Sequence, residues 1–278
     1  MEQTYTCESA VIEKALDRLK EDGLVSKEAY FNHNAAKGLR REVAYRDFDF
    51  LTRLSRTAEV ETVSSILAWL RGKGIFPDQL QYDENCFNAL RKEVKENFTI
   101  PGTSITPVME RLLYMLSSVK RPQRVIGIGT YCGYAFVWAV GSSCGQEREY
   151  ASRKVYGIDI DEDVTDKARS NFSKLAHTEH IELIAEDGLN AVDRLEGPFD
   201  YVYLDIDSKE LGKGLYLELL KRLYSKIPQG GWILAHDTVA PPFADQLEGY
   251  LAYVRDAQTF SESISFDVDP FGLELTIK

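Results

Sequence analysis

The sequence predicts an α/β fold in which a mostly parallel sheet is closed by an antiparallel hairpin and preceded by a helical region. Three observations lead there. From residue 124 onward, short apolar runs alternate with stretches of helical periodicity, as expected for parallel strands joined by helical crossovers. The first run enters RVIGIGTYCGYA, residues 124–135, where Gly127, Gly129 and Gly133 mark a strand, a tight turn and a helix N-terminus. At the far end, residues 263–268 and 273–277 flank the turn Asp269-Pro270-Phe271-Gly272 and read as a hairpin.

Length and charge narrow the function classes. A chain of 278 residues suits one α/β domain with a smaller appendage, here residues 83–278 after a helical cap or interaction region at 1–82. The balance of 33 Lys plus Arg against 44 Asp plus Glu gives a formal charge of −11, which repels polyanions and argues against a nucleic-acid partner. Cys7, Cys86, Cys132 and Cys144 lack CxxC spacing, and the N-terminus lacks the basic-then-apolar pattern of a secretion signal. Because no apolar run approaches a bilayer span, a reduced, cytoplasmic protein with no membrane partner is expected.

In chain order, Val11, Ile12, Ala15, Leu16 and Leu19 recur at helical spacing up to Gly23, and Val60, Val63, Ile66, Leu67 and Leu70 do so before Gly72 and Gly74. Between them, Arg40 and Arg41 open an aromatic stretch with Tyr45, Phe48 and Phe50. Plain helical packing is its first reading, with a lid, a carrier-protein dock or a homodimer contact as the functional ones. A helix from Asp83 carries Phe87, Leu90 and Val94 and breaks at Pro101 and Gly102. Thr106 and Pro107 then cap the helix of Val108, Leu112, Met115 and Val119.

After the glycine turn, the run 155–158 ends at Asp159, about 30 residues beyond the start of the first strand. At that distance a carboxylate accepts hydrogen bonds from the ribose of a nucleoside cofactor. A helix over 161–175 and a strand over 181–184 lead to Asp187 and Gly188. The strand 201–204 ends in Asp205-Ile206-Asp207, a helix is expected over 211–223, and the strand 232–235 ends in His236-Asp237. Gly129, Asp159, Asp187, Asp205 and Asp237 thus fall at the carboxyl ends of strands, where open α/β sheets bind ligands.

These motifs resemble the class I S-adenosylmethionine-dependent O-methyltransferases of the catechol and caffeoyl-CoA type. VIGIGTYCGYA is similar to their first motif. IDID, the acidic turn Glu186-Asp187, YLDIDSK, GGWILAHDTV and GLELTIK follow in the family's order across residues 84–278. The resemblance implies a Rossmann-like, mostly parallel seven-stranded sheet that binds S-adenosyl-L-methionine. Gly129 and Tyr131 would lie near its methionine end, Asp159 on the ribose and Asp187 near the adenine, with Gly127, Gly133, Tyr134, Gly188 and Asp205 completing the surface.

Three departures accompany the match. Gly127 stands where the family has a glutamate for the cofactor's ammonium group, and Ala135 stands where it has serine. Asp205, Asp237 and Thr238 stand where metal-dependent members have two aspartates and an asparagine. The usual lysine three residues after the first aspartate is replaced by Ser208, with Lys209 next to it. A divalent cation such as magnesium therefore stays open, with a slight preference for catalysis without one. In that case repulsion between the two carboxylates is expected to raise one pKa and leave a proton-shuttling acid beside His236.

Methyl transfer is an in-line displacement, so the protein must align the reactants and help deprotonate the acceptor. Asp205, His236 and Lys209 are the expected participants. The first reading is transfer to a hydroxyl or amine of a small molecule. The alternative exploits the missing amine anchor and reacts at the aminocarboxypropyl arm, as azetidine-2-carboxylate synthases do, releasing methylthioadenosine. A silent binding protein ranks last, because the carboxylates at the strand ends are retained.

Overall fold

The computed structural model describes residues 5–8, 13–14, 17, 21, 42–77, 79–100 and 105–278, with side chains described at 13, 14, 17 and 21 and in these ranges from residue 53 on. At the centre is an eight-stranded sheet in the order β1-β7-β8-β6-β5-β2-β3-β4. Its strands are β1 (Tyr5–Glu8), β2 (Arg124–Ile128), β3 (Lys154–Asp159), β4 (Ile181–Ala185), β5 (Tyr201–Leu204), β6 (Trp232–His236), β7 (Glu262–Asp267) and β8 (Leu273–Ile277). Strands β2 to β6 pair in parallel, and β8 runs antiparallel to both β6 and β7. The expected seven-stranded, mostly parallel sheet with its closing hairpin is therefore present as β2 to β8.

The eighth strand corrects the reading of residues 1–80 as wholly helical. Strand β1 lies parallel to β7, with Tyr5 opposite Ile264 and Glu8 opposite Asp267, so it covers the edge that the hairpin would otherwise leave unpaired. The expected helical residues Val11, Ile12, Ala15, Leu16 and Leu19, together with Arg40, Arg41, Pro101 and Gly102, lie outside the described residues. So do the side chains of Tyr45, Phe48 and Phe50, whose backbone belongs to the long helix α1 (Glu42–Gly72).

Helices cover both faces. On one, α1, α2 (Glu84–Asn97), α3 (Pro107–Lys120), α4 (Tyr134–Val140) and α5 (Glu162–Phe172) bury Val63, Ile66, Leu112, Phe136 and Phe172 against Val125, Val155 and Tyr203 of the sheet. Asp83 caps α2 by accepting from the N–H groups of Asn85 and Cys86, and Thr106 caps α3 at Met109. On the other, α6 (Gly188–Arg194), α7 (Leu215–Leu223) and α8 (Ala244–Val254) bury Val192, Leu219 and Leu247 against Ile126, Ile158 and Val202. Helix α8 was not anticipated. Its sequence, ADQLEGYLAYV, has a glycine in the middle and ends in five consecutive apolar residues, which give no helical stripe, and only Leu247, Tyr250 and Val254 are buried.

Strand order reverses at β2, which has β3 on one side and β5 on the other. The crevice beyond the carboxyl ends of these three strands is where such a sheet receives a ligand.

Candidate active site

Gly129 ends β2 with φ at +85°, and a Cβ there would strike the backbone of Asp205 beyond β5. Only glycine lets the two strand ends come this close. Tyr131, also left-handed at +48°, donates its N–H to Asp159 Oδ2 at 2.8 Å, and the N–H of Asp161 donates to Oδ1 at 3.1 Å. Asp159 is thereby fixed by two backbone donors, with lone pairs left over on each oxygen for hydroxyl groups. Gly129, Tyr131, Ile160, Glu186, Gly188, Asp205 and Asp237 line a cleft of about 580 Å³, a volume suited to a nucleoside-sized ligand.

The other expected cofactor residues, Gly127, Gly133, Tyr134 and Asp187, are not part of the cleft lining. Gly133 precedes α4 at φ +82°, and a Cβ there would meet the Phe172 ring. Gly127 and Gly157 are paired neighbours on β2 and β3, and a Cβ on either would collide with the Phe136 ring packed over both. An aromatic ring thus occupies the space into which a side chain at 127 would project, so a glutamate has no room there. The Tyr134 hydroxyl donates to Glu110 at 2.6 Å, on α3. Asp187 caps α6, its Oδ1 accepting from the N–H groups of Leu189 and Asn190.

At the far side of the cleft, four charged groups meet. The Lys213 ammonium lies 3.0 Å from Asp205 Oδ1 and 2.7 Å from Asp237 Oδ2. His236 Nδ1 lies 3.2 Å from Asp237 Oδ1 and 3.5 Å from Asp205 Oδ1. The Tyr203 hydroxyl donates to Asp205 Oδ2 at 3.1 Å. Asp237 is held at φ +65°, a conformation that costs a non-glycine residue energy and is found where a side chain must be aimed.

Burial alone would raise the Asp205 pKa, but Lys213 and His236 hold it well below the ordinary carboxylate value. The same balance acts in reverse on the cations. Burial depresses Lys213, and Tyr216, Asp205 and Asp237 more than restore its charge. For His236, burial pulls down while Asp237 and Asp205 push the pKa up to about 9, so the imidazole is protonated at neutral pH. For Asp205 the expected raised pKa is therefore corrected, because a lysine ammonium supplies the missing countercharge.

Lys213 is the participant that sequence reasoning missed. The expected helix over 211–223 begins only at Leu215. Gly212, at φ +55°, and a bridge between Ser208 and Gly212 turn the chain first and bring Lys213 inward. Its backbone N–H is held by Gln246 Oε1 of the unanticipated α8. The signal available was a lysine between two glycines just after a strand end. Lys209, the lysine that was expected, is exposed and outside the cleft lining. Thr238 is buried, and its hydroxyl has no hydrogen-bond partner.

A mostly parallel sheet with a glycine turn, a backbone-anchored carboxylate and an ionic cluster at adjacent strand ends is the layout of a Rossmann-like ligand-binding fold. The comparisons carry this further. Residues 126–238 match the family profile described as a methyltransferase domain. The chain is 24% identical over 197 residues to a caffeoyl-CoA O-methyltransferase of Stellaria longipes, spanning 68% of this chain and 73% of that one. It is 23% identical to a catechol O-methyltransferase of Mycobacterium tuberculosis over 52% of this chain and 66% of the other. An O-methyltransferase of Bacillus cereus in complex with S-adenosylhomocysteine superimposes with a TM-score of 0.51 at 17% identity, covering 79% of this chain and all of that one. Residues 126–238 thus match a methyltransferase domain, and the relatives to which the chain is similar are O-methyltransferases, in keeping with an S-adenosylmethionine-dependent transferase. Reaction at the aminocarboxypropyl arm finds no support in these relatives. Among the described residues, no helix is long and apolar enough to cross a membrane.

Proposed function

We propose that this chain methylates a hydroxyl group of a small, uncharged acceptor, using the cluster of Asp205, Lys213, His236 and Asp237. The observation that carries this reading is that Asp205, Lys213 and Asp237 border the same cleft as Gly129 and Asp159. S-adenosylmethionine supplies an activated methyl group on a sulfonium. Asp159 accepts hydrogen bonds from the ribose hydroxyls, and Gly129 lets the chain approach closely. The carboxylates of Asp159, Asp161, Glu186, Asp205, Asp207 and Asp237 make the cleft acidic, which disfavours a polyanionic acceptor such as a coenzyme A ester and favours a neutral phenol.

An acceptor O–H becomes strongly acidic as its oxygen gains a new bond to carbon. Even a carboxylate of low basicity can then take the proton, a contribution of about 10²- to 10⁴-fold in rate. Asp205 and Asp237 are the carboxylates in reach, and each is oriented by a cation. His236, protonated at neutral pH, serves as a donor and not as the base; its Nε2 is buried with no partner in the protein. The test is incubation with S-adenosylmethionine and catechol or simple phenols, with both nucleoside products quantified. Formation of S-adenosylhomocysteine together with methylated phenol is expected. Accumulation of methylthioadenosine instead would reject methyl transfer.

A further inference from the structure

We infer that the Lys213 ammonium is the permanent cation of this site, standing where the family resemblance puts a divalent ion, so that Asp205 and Asp237 hold no metal. The methyltransferase reading enters only in the comparison of positions; the geometry is independent of it. Nζ is in contact with one oxygen of each carboxylate, at 3.0 and 2.7 Å, and the side chain is almost fully buried. A divalent ion bridging the same two residues would have to expel this charge or sit beside it.

The surroundings suit an ammonium group. Nζ also lies 3.1 Å from the Tyr216 hydroxyl, and it stands 5.4 and 5.5 Å from the ring centroids of Tyr216 and Phe243, whose electron-rich faces attract a monovalent cation. A magnesium ion, by contrast, demands near-octahedral oxygen ligands and retains several waters. Here the second oxygen of Asp205 is engaged by Tyr203, and that of Asp237 faces His236 Nδ1. The neutral amide ligand of metal-dependent relatives is replaced by Thr238. Lys213 therefore acts as a positioning residue that gives both carboxylates a countercharge and a fixed orientation at the cleft.

Manganese binding followed by electron paramagnetic resonance tests this without any acceptor, so failure to find a methylated substrate leaves the result intact. The full chain, freed of metal by chelation, is expected to leave the free-ion signal unchanged. The variant Lys213→Met removes the ammonium between the two facing carboxylates and should bind manganese at least about tenfold more tightly than the wild type, because they are then left with His236 alone as a countercharge. The double variant Lys213→Met/Asp205→Asn should lose that site again, and Lys213→Arg should stay as silent as the wild type. Stoichiometric manganese binding by the wild type that Asp205→Asn abolishes would overturn the inference. So would a folded Lys213→Met protein, checked by circular dichroism, that takes up no manganese.

Discussion

Individual side chains make the sharpest predictions. Replacing Asp159 by Ala removes an acceptor for two ribose hydroxyls, each such bond to a charged group being worth about 1.5–3 kcal/mol. It also frees the N–H groups of Tyr131 and Asp161. Calorimetry should show S-adenosylmethionine binding weakened at least about tenfold. Restoring a glutamate at position 127 should harm the fold, since a Cβ there meets the Phe136 ring; a lower melting temperature for Gly127→Glu is expected. For His236, folding raises the pKa from 6.5 to about 9, so between these values the folded chain keeps a proton that the unfolded chain has released. The stabilisation is complete below pH 6.5 and is lost as the pH climbs through 9. Melting temperature should therefore fall between pH 7 and 10, and fall less steeply in His236→Gln. The glycines and strand-end aspartates were legible in the sequence because a turn of this kind constrains residue type. Lys213 was not, because its role depends on where a helix begins.

At the scale of elements, the long helix α1 is tied to the sheet layer by buried charge. Glu59 of α1 accepts from Arg91 of α2 through both oxygens, at 2.6 and 2.8 Å, and from Arg111 of α3 at 3.0 Å. The two guanidinium carbons sit 4.3 and 4.2 Å from the centre of the Phe87 ring. Arg91 also pairs with Glu110 at 3.1 Å, and Glu110 holds Tyr134 at the glycine turn. Truncating Glu59 to Ala leaves two buried arginines without their shared partner. Urea denaturation should register a loss of about 3–5 kcal/mol, as expected for a broken buried ion pair. The apolar periodicity of α1 was readable from Val60 to Leu70, whereas its charged anchor was not, because an isolated Glu on a helix gives no sign of whether it faces solvent. Helix α8 escaped notice for another reason, its apolar residues being bunched at 250–254 without helical spacing.

At the scale of the whole molecule, the described helix before residue 83 is packed against the sheet-bearing body. Val63, Ile66, Leu67 and Leu70 share one core with Leu112, Phe136 and Tyr203, so the region before residue 83 is part of the catalytic body in the described structure. A chain beginning at Asp83 would expose that face and take Glu59 away from Arg91 and Arg111. It should be recovered as aggregate or without S-adenosylmethionine binding, and a soluble, binding-competent product would contradict this account. The pairing of β1 with β7 also bears on how the chain is made. A segment made early is docked against one made roughly 260 residues later, since Tyr5 lies opposite Ile264. At about 5–20 residues per second, the wait between them is ~10–50 s. During that interval β2 to β6 can already be in register, and β7 joins them only through β8, so the early strand seals the hairpin edge after the hairpin itself has formed.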